Sequence, residues 1–254
     1  MSDALLPQVP VSPAPVAPES GGGFFQNLID VYFSPREAFT RIVRNPSFLL
    51  PLAGYILLVL GFTGIWMNRM DAREFIKVQL EESGQWDKIP AEQREAILEG
   101  APGQMKIFGW IGPVVATPVM LLLTAAVLLF IYRFFYSSEV VFKQAFSIVT
   151  WTFFAVALLT TPLLLLVFQL KGDWNVNPQE AIQANLGLLL DKSEAAKPLW
   201  ALLSSIDVFS MWTVFLLAVG FAVASRKTTA SALWGVAIPW ILIVLAKVGW
   251  AAIF

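Results

Sequence analysis

Five long apolar runs alternate with shorter polar segments along this chain. They are Phe48–Met67, Phe108–Tyr132, Ala145–Leu170, Val208–Ala224 and a last run over about 232–253. A helix that crosses a bilayer needs roughly 20 mostly apolar residues, so each run is long enough to span. Lys247 is the only charged residue inside any of them. Helices of water-soluble domains keep a polar face, and these runs have none. The pattern predicts an all-α polytopic membrane protein with five transmembrane helices.

A different pattern precedes the first run. Phe25, Leu28, Ile29 and Tyr32 recur at helical spacing. Ser34-Pro35-Arg36-Glu37 reads as a capping box, with Pro35 at the first helical position. Phe39, Ile42 and Val43 then share a second apolar face, with Arg41 and Arg44 away from it, and Asn45-Pro46 ends the helix. Two short amphipathic helices in the lipid interface are expected. Arg36, Arg41 and Arg44 are the candidate contacts to anionic head groups. The alternative is a connector packed on the bundle. Residues 1–23 are Pro-rich, then Gly-rich, and are expected to form a disordered spacer, partly polyproline II.

Two polar connections are long. In the first, DAREFIKVQLEE is expected to extend the first span beyond the membrane. Pro90 is expected to start a separate short helix, PAEQREAILE, which Gly100–Gly103 ends before the second span. In the second, NPQEAIQANLGLLL reads as a helix that packs Ile182, Leu186, Leu189 and Leu190 on the membrane domain. The links Arg133–Gln144 and Ser225–Ser231 are short and predict antiparallel neighbours. Basic residues are denser in the short segments on the N-terminal side, namely Arg36, Arg41, Arg44, Arg133, Lys143, Arg226 and Lys227. By the positive-inside rule this predicts a cytoplasmic N-terminus and an external C-terminus in the cell membrane. The start lacks a basic region followed by an apolar one, so the first span is expected to act as an uncleaved anchor.

Composition narrows the chemistry. The chain is 57% hydrophobic and 14% charged, against about 25% charged in soluble domains. It has no Cys and no His, which removes thiol nucleophiles, imidazole bases and the usual zinc ligands. No nucleophile motif, phosphate loop or paired intramembrane acid is present. The expectation is no catalytic site, no metal and no cofactor. A net charge of −1 gives no reason to expect nucleic acid as a partner.

The remaining polar groups near the spans are few. Lys247 is an intramembrane cation, which snorkelling toward the end of its helix accounts for. Asp207 opens the fourth span, and Ser204-Ser205-Ile206-Asp207 reads as a capping box. Both residues fall near one membrane surface, so Asp207 and Lys247 form a candidate intramembrane polar pair. Gly54, Gly61 and Gly64 permit close packing along the first span.

Four stretches carry a family resemblance: Phe33-Ser34-Pro35-Arg36-Glu37-Ala38-Phe39, Pro90-Ala91-Glu92-Gln93-Arg94-Glu95, Phe142-Lys143-Gln144-Ala145-Phe146, and Ile206-Asp207-Val208-Phe209-Ser210-Met211-Trp212 with Gly220 beyond it. In this order, with five spans, the chain resembles bacterial members of the Yip family, the group that includes eukaryotic Ypt/Rab-interacting membrane proteins. The resemblance covers residues 24–254, which read as one membrane domain. It implies five helices, a cytosolic N-terminus and no known catalysis. Eukaryotic relatives act in vesicle traffic and bind Rab-type GTPases, a role that does not carry over to bacteria. Some bacterial relatives are associated with ABC-type export systems. The expected function is a non-enzymatic membrane accessory or scaffold, with the bilayer and export-complex membrane proteins as partners. The alternative is a transporter, channel or lipid-handling protein. Oligomeric state is left open.

Overall fold

The structure is a computed structural model, and it describes residues 23–182, 184–190 and 195–253. The expected disordered tail, residues 1–23, lies outside the described residues except for Gly23. The two amphipathic helices are present as α1 (Phe24–Phe33) and α2 (Pro35–Arg44). Pro35 occupies the first turn of α2, but the Ser34 side chain makes no capping bond. Ser34 also closes α1, where its N–H donates to Asp30 O at 2.8 Å, and its carbonyl accepts from Glu37 N and Ala38 N. A residue that serves two helices at once holds them by backbone, and the expected side-chain box does not form.

The first span is α3 (Leu49–Met67). It does not run on. The chain turns at 68–71, and Asp71 starts a new helix, α4 (Ala72–Glu82), by accepting from Arg73 N and Glu74 N. The capping carboxylate satisfies donors that no preceding turn could, which is why the break sits there. Gly84 adopts a left-handed φ of +67° and reverses the chain.

Next comes α5 (Ala91–Phe134), a single helix of 44 residues. Here the expectation of a break at Gly100–Gly103 is overturned. Pro102, Pro113 and Pro118 all lie inside the helix. Each removes one backbone donor, and a helix held on several sides tolerates that loss. Ala101 is buried at this point, so packing overrides the weak local propensity. At 1.5 Å per residue α5 is about 66 Å long, roughly twice the hydrocarbon thickness. Its first 17 residues therefore stand outside the apolar run and pair with α4 as a helical hairpin.

The third span, α6 (Phe142–Lys171), is the central helix. Ala145 to Thr152 are all buried. Gln144 Oε1 accepts from Val141 N at 3.1 Å at its start, and Gly172 ends it at φ +69°. The second long connection then differs from expectation. Only α7 (Pro178–Ala181) and a 3-10 turn at Leu186–Leu189 form, and Leu189 is 78% exposed. Leu186 N donates to Ile206 O and Val208 N to Ala184 O, an extended pairing that competes with a helix. A helix that sequence patterning did not single out, α8 (Lys197–Ser204), follows and packs on the last span.

The fourth and fifth spans are α9 (Val208–Ser225) and α10 (Thr229–Ile253). All five spans have the length and apolar composition to cross a bilayer. Among the described residues there is no strand, so the protein is an all-α polytopic membrane protein. The short links do join packed neighbours, α5 with α6 and α9 with α10.

The core gathers α6, α9, α5 and the two N-terminal helices around Trp151, Tyr132, Phe39 and Phe221. Tyr132 stacks on Phe221 with centroids 4.5 Å apart, and its hydroxyl donates to Ala232 O at 2.5 Å. Tyr136 OH donates to Ser231 O at 2.8 Å. These phenols tie the end of α5 to the start of α10 at one face of the bundle. Of the three glycines expected to allow close packing, two do. A Cβ at Gly54 would meet the Phe154 ring at 2.6 Å, and one at Gly64 would meet Trp110 at 3.1 Å. Gly61 has nothing within 4 Å and serves no such purpose.

Candidate membrane-interface site

The N-terminal helices are built into the bundle. Phe24 lies against Trp151 and Phe154, and Tyr32 OH donates to Ala155 O at 2.6 Å. Phe24 and Tyr32 stand about 12 Å apart along α1. Both touch the same short stretch of α6, so α1 crosses α6 at one level. Burial of the Tyr32 phenol pushes its pKa up to about 12. Gln144 Nε2 donates to Val43 O at 3.2 Å and Trp151 Nε1 to Ser47 O at 2.8 Å, which satisfies carbonyls around the end of α2.

Each N-terminal helix thus has a packed side. On α2 this is Ala38, Phe39 and Ile42, all fully buried or nearly so. On α1, Val31 is buried while Phe25, Ile29 and Phe33 are 76%, 56% and 83% exposed. These three are four residues apart and form one outward apolar stripe. The packed side is what a connector on the bundle requires, and the outward apolar stripe is the face that the expected interfacial helices would turn to lipid.

The three candidate arginines divide. Arg36 and Arg44 are exposed. Arg41 forms an ion pair with Asp30, and its Nε donates to Asn27 Oδ1 at 2.9 Å. Its charge is engaged in holding α2 against α1. The exposed cations Arg133, Lys143, Arg226 and Lys227 lie in the two short links or beside them. Together with Arg36 and Arg44 they surround one end of the bundle.

At the opposite end the structure brings Asp207 and Lys247 into one neighbourhood without pairing them. Asp207 Oδ1 accepts from Phe209 N at 2.9 Å and Ser210 N at 3.0 Å, and Oδ2 accepts from the Ser210 hydroxyl. Asp207 is thus the cap of α9 itself. Lys247 Nζ instead donates to Ser205 Oγ at 3.3 Å. No ion pair joins the two charges among the described residues. Ser204 and Ser205 hydroxyls donate back to Ala201 O, so the serines finish α8 and take no part in capping α9.

The connections at this end also interlock. Trp66 Nε1 donates to Trp174 O at 2.9 Å, Arg69 to Gln169 Oε1 at 2.6 Å, and Asp71 N to Asn175 Oδ1 at 2.8 Å. The α4–α5 hairpin is fastened by an Arg73–Glu95 ion pair and by Arg94 over the Trp86 ring, 5.0 Å from its centroid. Sequence reasoning did not single out Asp71, Asn175 or Trp174. The signal for Asp71 was present in Asp71-Ala72-Arg73-Glu74, an acid three residues ahead of another at a helix start.

Two apolar grooves open on the outer surface. One, of about 650 Å³, lies between α6, α9 and the second long connection, with Leu159, Leu186, Trp212 and Phe215 in its walls and Asp207 at its rim. The other, of about 370 Å³, lies between the end of α5 and the start of α6. No group of three or more His, Cys, Asp or Glu in a metal-binding arrangement occurs among the described residues.

Comparison with known proteins agrees with this architecture. No curated protein and no solved structure matches the chain. The family model described as the Yip1 domain matches residues 29–251, from within α1 to near the end of α10. An integral membrane protein with five spans, opened by a helix pair that the match includes in part, the chain belongs to the Yip1-domain family.

Proposed function

We propose that this protein is a non-enzymatic accessory or scaffold of a bacterial plasma membrane, one that organises partner membrane proteins such as those of an ABC-type export system. The observation that carries the reading is the α4–α5 hairpin. It is continuous with a span, stands about 25 Å beyond the apolar run, and is braced at its base by the Asn175 and Trp174 contacts. A charged surface held on a stiff support outside the bilayer suits a partner there. Polar groups nearer the membrane are engaged within the fold: Asp30 with Arg41, Asp207 with α9, Lys247 with Ser205. The N-terminus lies in the cytoplasm and the C-terminus outside, as the cations crowded around one end favour.

Two experiments test this. The chain has no Cys, so single cysteines can be placed freely. A photocrosslinker on Cys at Gln93 should trap a discrete membrane-protein partner in intact cells. A hairpin that traps nothing, with purified protein that moves solute or lipid in proteoliposomes, would favour the transporter or lipid-handling reading instead. For orientation, an impermeant thiol reagent on intact cells should label Cys at Gln85 and spare Cys at Glu139. The reverse pattern would invert the topology.

A further inference from the structure

We infer that the smaller groove, between α5 and α6, is a binding site for an anionic phospholipid. Its walls are Ala126, Leu129, Phe130 and Phe134 of α5 and Phe142 of α6, with Arg133 at its mouth. Phe130, Phe134 and Phe142 are 60%, 68% and 44% exposed, so the protein leaves the groove open to the surrounding hydrocarbon. The walls are ordered by their own contacts: Phe130 stacks on Phe134 at 5.4 Å and Phe142 on Phe146 at 5.8 Å. From Ala126 to Arg133 the groove runs about 10 Å along the helix. It is apolar at depth and cationic at the membrane boundary, which is the polarity of a phospholipid seated by its acyl chain.

The cations select the head group. Arg133 Nε donates to Val140 O at 2.9 Å, which pins the guanidinium at the mouth. Its Nη groups have no partner among the described residues, and they present the forked donors that a phosphate accepts. Lys143, next to Phe142 in sequence, is exposed and likewise has no partner among the described residues. The link between the helices holds one acid, Glu139, also exposed. Basic clefts between membrane helices are suited to anionic head groups. The larger groove at the opposite end provides the contrast. The charged group at its rim is Asp207, whose oxygens are engaged by α9, and none of the residues that line it is cationic. That groove can accommodate an acyl chain but has nothing to select its charge.

The test uses the full chain in neutral detergent, titrated with phosphatidylglycerol or phosphatidylcholine of matched acyl chains. Native mass spectrometry reads bound lipid and oligomeric state together, and the melting midpoint reads stabilisation. Phosphatidylglycerol should bind more tightly and raise the midpoint more. Lys143→Gln should weaken it about fivefold with little change for phosphatidylcholine. Arg133→Gln should weaken it further. Ala126→Phe, which fills an exposed wall, should reduce binding of both lipids, while Lys227→Gln, in the other short link, should change neither. Equal binding of the two lipids, or unchanged selectivity in Lys143→Gln together with undiminished binding in Ala126→Phe, would overturn the site. Full competition by glycerol 3-phosphate would make it a soluble-phosphate site. A dimer that Ala126→Phe dissociates would make it an interface between copies. The inference rests on the membrane location of the fold, so it stands or fails independently of any protein partner.

Discussion

The approach of α9 to α6 and α2 hangs on the missing side chain of Gly220. A Cβ there would press into Ile148 Cγ2 closer than real Cβ contacts come, and would lie 3.2 Å from Phe39 Cδ1 and 3.3 Å from Ile148 Cγ1. Ile148 and Phe39 are fully buried, and the methyl sits on a β-branched carbon, so neither can swing aside. In a membrane the attraction between helices is mostly close packing, and a small residue at the crossing sets the distance. Overpacking of this kind costs about 1–3 kcal/mol, while replacing a helical Gly by Ala returns up to about 1 kcal/mol. Gly220→Ala should therefore destabilise by roughly 1–2 kcal/mol. Gly61→Ala, with open space around it, should be neutral or mildly stabilising. Ile148→Ala removes the obstructing methyl, so the double variant Gly220→Ala/Ile148→Ala should lose less than the sum of the singles, with a coupling of about 1 kcal/mol or more. Reversible unfolding in mixed micelles gives the four free energies of the cycle. A Gly220→Ala protein as stable as the parent, with additive behaviour in the double variant, would refute the close crossing.

Further outcomes follow from the interface. Arg41→Gln should cost about 1 kcal/mol or less, since the pair with Asp30 is roughly a quarter exposed, and should raise proteolysis between α1 and α2. Phe25→Ser/Ile29→Ser/Phe33→Ser should leave the melting midpoint nearly unchanged while lowering contact of α1 with spin-labelled lipid; a large drop in midpoint would mean the stripe is internal. The folded-state pKa of Tyr32, about 12, exceeds its unfolded value near 10, so the stability it contributes is intact below pH 10 and is lost as pH rises toward 12. Tyr32→Phe should flatten part of that alkaline decline, and an unaltered slope would count against burial of the phenol. Asp207→Ala should cost about 1 kcal/mol through the lost cap and Asp207→Asn much less, additively with Lys247→Met; coupling between the two positions would point to an ion pair instead.

The spans were legible because bilayer thickness and backbone desolvation allow few solutions, and Phe48–Met67 matches α3 within one residue. Segments governed by packing were not. Gly100-Ala101-Pro102-Gly103 carries the signals of a helix stop, yet Ala101 is buried and the helix continues. The stretch from Asn177 to Leu190 has helical composition, yet its described residues form only α7 and a 3-10 turn, and Asn185 between them is drawn into an extended pairing with Asp207. Of the candidate residues, Arg41 looked like a surface cation because its partner, Asp30, lies on the preceding helix across a turn. Asp207 and Lys247 were expected to form a polar pair, and each instead bonds to other groups of the same region. Their nearest hydrogen-bonding atoms, on Ser205, Phe209 and Ser210, decided what each does.

Because α5 continues without a break from its extramembrane turns into the bilayer, it acts as a lever. Its outer section is about 25 Å long, so a ~10° change in the tilt of the span moves the tip of the hairpin by ~4 Å. Span tilt responds to the thickness of the hydrocarbon around it. A thinner or thicker patch of membrane would thus displace the surface at Trp86 and Glu92 relative to the lipid head groups. Pro102, near the inner end of that section, leaves a carbonyl one turn earlier without its helical donor, so bending of the outer section would cost less there than elsewhere along it.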